Sequence, residues 1–485
     1  MSPTTGMQIT TADQLQESAE NYFPLSNVQV FFAIAVGYLL LAQLMTFINS
    51  PLITGASFWP AAGLTLGMLL KIPSRQWVFV IAAIALSESL GNQMRGSPIG
   101  ANLLWTAGNC IEPLLGAYLI RRNGTTGDTL LPLRNLWRFI GFGVLLAPLI
   151  GASIGAMGTI VFLDRPFMEV WPKYLIGDAL GVLVLAPLVL TIGSHKLFMP
   201  RPKEAITLGL ILLFMIGITF RNWGGMADII LPYLFLPLMI WSALRFGIRG
   251  TACTILLVAG AANIAPALGY EPFTATLIHE GHGVTILQVL LAISSTTALV
   301  VAALTHDLIT GLKNESRLQR QAYQDPLTGL YNRAGLSTRL EKWGQRRDTD
   351  ASTLHLLICD LDGFKHVNDN YGHLVGDHVL IEVANRLQTC IREEDTAARI
   401  GGDEFVILIN HSNRKTVTEI SERILDIMHK PITGSFGAIN TAMSIGIAPW
   451  TPGKDIESIM RAADAALYKA KQGGKNCSVW ADELN

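Results

Sequence analysis

The sequence predicts two unlike parts, an N-terminal polytopic α-helical membrane domain and a C-terminal soluble α/β domain. Three observations carry this. Half of the 485 residues are hydrophobic and only 15% are charged, against roughly 25% in an average soluble chain. The charges are divided unevenly, with 15 Lys/Arg and 13 Asp/Glu in residues 1–304 but 21 and 24 in the much shorter 305–485. Long apolar runs fill the first part, whereas short apolar runs alternate with segments of helical spacing in the second. A purely soluble enzyme and a purely intramembrane protein are both excluded.

A helix needs about 20 mostly apolar residues to cross a bilayer. Ten runs qualify, at roughly 28–48, 54–70, 77–91, 101–120, 139–163, 174–193, 205–220, 228–244, 251–270 and 284–304. The second, third and seventh are short, which makes eight the alternative count. With the N-terminus inside, the inner loops hold eleven Lys/Arg and the outer loops four, so the positive-inside bias places the charged C-terminal part in the cytoplasm. The tail over 1–27 adds no vote, because residues 1–26 carry no Lys or Arg. That stretch does not resemble a cleavable signal, and the first apolar run is long enough to stay in the bilayer.

Intramembrane ionisable groups are costly and are functional candidates by default. Glu88, Glu112 and Asp178 qualify, with Asn109 about one turn from Glu112. The alternative is that they are polar glue between helices. His279 and His282, in the last outer loop, could titrate or bind metal. The five cysteines lie in no CxxC or zinc-like spacing and read as reduced, buried small hydrophobes. A net charge of −1 gives no polybasic face for a nucleic-acid polymer.

After the last span, Leu304, Leu308 and Leu312 stand four apart, so a helix continues out of the membrane with one apolar stripe. Residues 305–324 are a helical connector, dimer-forming or a plain linker. From 325 to 485 the elements alternate: strands at 354–359, 405–409 and 442–448, helices at 374–391, 414–428 and 456–470, and a hairpin over 395–409 around Gly401-Gly402.

The first strand runs directly into Asp360-Leu361-Asp362-Gly363-Phe364-Lys365. A carboxylate just past the carboxyl end of a buried strand stands on a rigid support at a sheet-edge crevice. Downstream comes Arg399-Ile400-Gly401-Gly402-Asp403-Glu404-Phe405. The two glycines allow a tight hairpin and close approach of backbone to a phosphate. Acids from two neighbouring strands form an oxygen-rich site suited to Mg²⁺ on nucleotide phosphates. Taken alone, a Gly-Gly-Asp-Glu tetrapeptide is more often a β-turn with surface acids.

The surrounding text decides between these. Gly401-Gly402-Asp403-Glu404-Phe405 resembles the signature of GGDEF-domain diguanylate cyclases. Asp325-Pro326-Leu327-Thr328-Gly329-Leu330-Tyr331-Asn332-Arg333 is similar to their opening motif. The segment from Asp360 through Lys365, Asn368, Asp369 and His373 to Asp377 resembles their metal and guanine segment, and Asp464 through Lys471 to Lys475-Asn476 their C-terminal helix and phosphate end. The resemblance implies a nucleotidyl-cyclase-like fold with a central, mostly antiparallel sheet, which condenses two GTP into cyclic di-GMP and two pyrophosphates.

It also implies roles. Asp360, the Leu361 carbonyl and Asp403 would hold Mg²⁺, with Mn²⁺ as an alternative. Asp403, or Glu404 beside it, would help deprotonate the attacking 3′-hydroxyl. Asn368 and Asp377 would read guanine, with His373 nearby. Lys365, Lys471 and Lys475 would neutralise phosphate charge, Lys475 standing where the family often has Arg. Arg392 and Asp395 stand where the family has an inhibitory product site; outside that frame such residues are a solvated helix end.

Phe58-Trp59-Pro60-Ala61-Ala62-Gly63-Leu64, with Trp171-Pro172 and Gly177-Asp178-Ala179-Leu180-Gly181, resembles the MASE1 membrane sensor family over roughly 28–304. This implies a sensory input at the bacterial inner membrane for a ligand the sequence does not name, and catalysis between two face-to-face domains implies a homodimer. Nothing in the sequence resembles a phosphodiesterase domain. A nucleotide-binding module without catalysis and a transporter with a regulatory soluble domain are the competing readings.

Overall fold

The computed structural model describes residues 25–48, 58–123, 130–192, 201–221, 223, 226–268, 282–344, 354–410, 413–450 and 456–484. They fall into two compact units, Met1–Thr310 and Gly311–Asn485.

In the first unit, eight helices among the described residues are long and apolar enough to cross a membrane: Asn27–Ile48, Ser74–Met94, Ile99–Arg122, Leu133–Leu163, Phe167–Thr191, Pro202–Thr219, Met226–Ile264 and Thr285–Tyr323. By length and apolarity the described helices thus number eight, the alternative count. The run at 54–70 yields only the helix Pro60–Lys71, of 12 residues. At 1.5 Å per residue it reaches about 18 Å, well short of the hydrocarbon core. The runs at 228–244 and 251–270 fall on two helical stretches that meet at a residue with non-helical backbone. Their junction is a bend at Gly247 (φ 62°) inside Phe235–Ile264. Arg245, read as a loop charge, stands two residues before that break and pairs with Glu204 of the Pro202–Thr219 helix at 2.7 Å from Nε.

The short helix has a different task. Gly63 and Gly181 face each other's chain so closely that a Cβ at residue 63 would stand 2.2 Å from the Gly181 carbonyl oxygen, and one at residue 181 would stand 1.9 Å from the Trp59 oxygen. The Trp59 N–H donates to the Gly177 carbonyl at 3.0 Å. The two motifs that carry the MASE1 resemblance are therefore one packed contact, which only residues without side chains permit. Its ends are capped by cations. Arg121 donates to the carbonyls of Leu69, Leu70 and Ile72 at 2.6–3.0 Å. Lys71, itself buried, donates to the Ile192 carbonyl at 2.8 Å. Positive groups at helix C-termini satisfy orphan carbonyls and oppose the dipole. His279 lies outside the described residues, as does the side chain of His282, which begins the helix His282–Tyr323. Leu304, Leu308 and Leu312 all lie exposed on that helix. Cys253, expected inside, is exposed among the described residues.

The second unit is a sheet of five strands in the order β2-β3-β1-β6-β7. They are β1 (Leu354–Leu361), β2 (Thr396–Gly401), β3 (Glu404–Asn410), β6 (Met443–Trp450) and β7 (Ser478–Trp480), with a separate hairpin of β4 (Ile432–Gly434) and β5 (Gly437–Ile439). All pairings in the five-stranded sheet are antiparallel except β6–β7. β1 is central and every one of its residues is buried. That is why it reads as an unbroken apolar run.

Alternation along β1 divides the core. Leu357, Cys359 and Leu361 join Val379, Val383, Leu387 and Ile424 on one face. Leu354, Leu356 and Ile358 join Leu336, Leu340, Ile459, Ala463 and Leu467 on the other. Asp360 continues the second series, so it emerges on the face covered by the helix Ile456–Gln472.

Candidate active site

The placement of Asp360 is realised as a direct contact. Lys471, near the end of the Ile456–Gln472 helix, puts Nζ 2.8 Å from Asp360 Oδ2. Asp360 lies opposite Glu404 in the β1–β3 register. The Leu361 N–H reaches the Asp403 carbonyl at 3.3 Å, so the two acid-bearing segments lie side by side. Burial pushes the Asp360 carboxyl above its ordinary range; Lys471 pulls it back, and the carboxylates of Asp403 and Asp362 raise it again. A strand end crowded with negative charge suits a cation.

The donor set fits a hard divalent ion, being carboxylate and carbonyl oxygen throughout. Among the described residues no three acidic, His or Cys side chains form a cage.

The guanine-reading candidates also come together. Asn368 lies on the helix Phe364–Tyr371 and Asp377 on His373–Cys390. The Asn368 Oδ1 stands 1.9 Å from where a Cβ on Gly376 would be, so the amide rests on the helix one residue before Asp377. Asp377 and His373 are exposed, as are Lys365 and Lys475.

Two functional contacts were not foreseen from the sequence. Arg399 bridges Asp325 at 3.1 Å and donates from Nε to the Gly402 carbonyl at 2.9 Å. The opening motif thus braces the Gly-Gly turn. Burial works to raise the Asp325 carboxyl, but hydrogen bonds from the Thr328 side chain and backbone and from Arg399 outweigh it and leave it below the usual range. The position of Arg399 two residues before Gly401 was the available signal. The second contact is that of Asp362 with Ser444 and the Asn476 backbone.

Arg392 and Asp395 sit in the turn before β2. The Asp395 carboxylate accepts the backbone N–H groups of Arg392 at 3.0 Å and Asn410 at 3.1 Å. Arg392 is exposed, 3.7 Å from Glu394. Asp395 therefore shapes the turn, and Arg392 is the group presented to solvent.

In the membrane unit Glu88, Glu112 and Asp178 are all buried. Glu88 accepts from Tyr38 at 2.8 Å and from Asn92 at 3.0 Å. Glu112 meets Asp178, and its Oε1 has no hydrogen-bond partner.

Comparison with known proteins agrees with this architecture. The MASE1 family model matches residues 27–307, more than half of the chain. The model described as diguanylate cyclase, GGDEF domain, matches residues 322–477. The chain belongs to the MASE1 family and carries a GGDEF domain. It is 32% identical over 351 residues to MucR of Pseudomonas aeruginosa, a bifunctional diguanylate cyclase/cyclic di-GMP phosphodiesterase, covering 62% of this chain and 51% of that protein. It is 40% identical over 160 residues to the diguanylate cyclase DgcP of Pseudomonas aeruginosa, covering 33% and 24%. With DgcZ, a diguanylate cyclase of Escherichia coli, it shares 36% over 162 residues, covering 33% and 54%. The chain spans between about a quarter and about half of the length of these relatives.

Proposed function

We propose that the chain is a membrane-bound diguanylate cyclase, with residues 325–485 as the catalytic domain, 305–324 as the connector and 28–304 as the sensory input. The observation that carries the reading is the strand-end constellation of Asp360 with Lys471 at 2.8 Å and Glu404 in register opposite. Asp360, Asp403 and the Leu361 carbonyl would hold the divalent cation, Mg²⁺ or alternatively Mn²⁺. When bound, that ion supplies Lewis-acid neutralisation of the triphosphate and makes the ribose hydroxyl easier to ionise.

Each catalytic domain binds one GTP. The Asp377 carboxylate accepts from the guanine N–H groups and the Asn368 amide pairs with the same edge, with His373 beside them, so that adenine leaves these groups unmatched. Lys365, Lys471 and Lys475 neutralise the phosphates as charge develops. Asp403 or Glu404 takes the proton of the 3′-hydroxyl. The oxygen of each GTP attacks the α-phosphorus of the other and pyrophosphate leaves. Two phosphodiester bonds form, two phosphoanhydride bonds break, and the products are cyclic di-GMP and two pyrophosphates.

That exchange requires a homodimer. The location is the bacterial inner membrane, with catalysis on the cytoplasmic side, as the Lys/Arg bias of the ten-span reading favours. A ligand preferring one state of the membrane domain would shift the productive population. Arg392, presented by the Asp395-braced turn, supplies a fork for product phosphate or guanine and hence feedback inhibition. Purified full-length protein given GTP and Mg²⁺ is expected to yield cyclic di-GMP by chromatography and no product from ATP. GTP binding without product in a confirmed dimer, with and without Mn²⁺, would favour a binding module instead.

A further inference from the structure

Asp360-Leu361-Asp362 reads as two carboxylates aimed at one cation, but Asp362 is spoken for within the chain. Its oxygens accept the Ser444 hydroxyl at 3.0 and 2.9 Å, and Oδ2 also accepts the backbone N–H of Asn476 at 3.0 Å. The main chain at the same residue is fixed too, with the Asp362 N–H donating to the Ala442 carbonyl at 2.9 Å.

The segment that Asp362 grips is strained. Gly474, Lys475 and Asn476 follow one another at φ 116°, 63° and 50°. Left-handed backbone is cheap for glycine and tolerable for Asn, but a lysine there has no side-chain bond to offset its Cβ clash. Three contacts keep the turn. The Lys475 N–H closes on the Ala470 carbonyl at 3.1 Å, the Asn476 amide meets the His429 ring at 2.6 Å, and the Asn476 N–H meets Asp362. Of these only the last is made to a carboxylate, and charge-assisted bonds are about twice as strong as neutral ones. Beyond the turn, the Cys477 carbonyl accepts the Ile445 N–H at 2.9 Å, which fixes the chain again. Lys471, one helical turn earlier, is the residue that meets Asp360.

We propose that Asp362 is a positioning residue: it clamps the left-handed Gly474–Asn476 turn and through it places Lys475 for the substrate phosphates. The inference rests on the reading of this strand end as a GTP site. Asp362 acts through Lys475 and not on the cation, so the two residues form one energetic unit.

The test is a double-mutant cycle on the full-length protein, read as binding of 3′-deoxy-GTP with Mg²⁺ by titration calorimetry. This analogue lacks the attacking hydroxyl, so binding is measured without turnover. Asp362→Ala and Lys475→Ala are each expected to weaken binding about tenfold, and the pair together also about tenfold, because residues acting as a unit are not additive. The Mg²⁺ concentration needed for half-maximal binding stays unchanged in Asp362→Ala. Asp362→Asn keeps an acceptor for the Asn476 N–H and is expected to retain affinity within about threefold. A loss of about a hundredfold in the double variant, the additive result, overturns the proposal, as does a raised Mg²⁺ requirement. If Asp362→Ala does not fold, the Asn variant decides by its Mg²⁺ requirement alone, unchanged in support and raised in contradiction. Wild type that binds the analogue yet makes no cyclic di-GMP would sink the cyclase reading while the cycle still decides this one. Wild type that binds nothing overturns both.

Discussion

Each unit of this protein holds a set of three candidate acids, and their surroundings could hardly differ more. At the strand end Asp360, Asp403 and Glu404 lie where a sheet stops, beside one lysine, with Glu404 exposed. Between the membrane helices Glu88, Glu112 and Asp178 are all buried, and Glu88 is met by the neutral donors of Tyr38 and Asn92. The first set is short of positive charge and open to a substrate that brings a cation. The second is sealed among helices, where such groups either join helices or carry a signal. Burial alone does not set the two apart, since Asp360 is buried as well. What separates them is access: the strand end opens to solvent at Glu404, whereas even the unpartnered Glu112 Oε1 is enclosed among helices.

The sharpest way to break this contrast is to remove an open acid. Asp403→Ala is expected to lower cyclic di-GMP formation about a hundredfold or more, as losing a preorganised charge at a reacting centre does. Retained activity in a steady-state assay would place the chemistry elsewhere.

Next in size is Gly376→Ala. The added Cβ would occupy the position of the Asn368 amide, so GTP affinity should fall about tenfold, the scale of a lost hydrogen-bonded contact in a specific site. Alanine is otherwise the better helix former by about 1 kcal/mol. Unchanged or raised melting temperature together with weakened nucleotide binding therefore identifies a lost contact and excludes a fold defect.

Asp325→Ala removes the brace on Arg399 and the Gly-Gly turn, and should cost about 1–3 kcal/mol of stability in denaturant titrations, typical of bonds to charged groups. The same carboxylate sets a pH dependence. Its folded pKa is lowered, so its contribution is complete above the unfolded value near 3.8 and is lost as pH falls through the lower folded value. The Asp325→Ala variant should accordingly lack that part of the acid-side loss of stability.

The smallest effect belongs to the sealed set. Tyr38→Phe leaves a Glu88 oxygen without its donor and should cost about 0.5–2 kcal/mol, the range of hydrogen bonds between membrane helices. The Mg²⁺ requirement of the cyclase reaction should not move; a shift would mean that the two sets communicate more directly than their surroundings indicate.

The legible parts of the chain are those where one physical requirement dominates. β1, β3 and β6 could be read because central strands buried on both faces need continuous apolar runs, although β1 extends two residues past Cys359. The candidate acids could be singled out because the proposed chemistry requires fixed residue types at fixed offsets. The choice between ten runs and eight could not be read, since a proline-started helix of 12 residues and the non-helical break at Gly247 depend on packing partners far along the chain. Three-residue strands such as β4, β5 and β7 are too short to show a period. The role of Asp362 was hidden for a related reason, because its partner Asn476 lies 114 positions away.

The central claim is tested most directly by following phosphorus in the reaction. Full-length protein incubated with GTP and Mg²⁺ should show, by phosphorus NMR, a cyclic phosphodiester and pyrophosphate in a one-to-two molar ratio, both absent with Asp403→Ala. Inorganic phosphate with GDP instead, or equal signals from the wild type and the variant, would contradict the account.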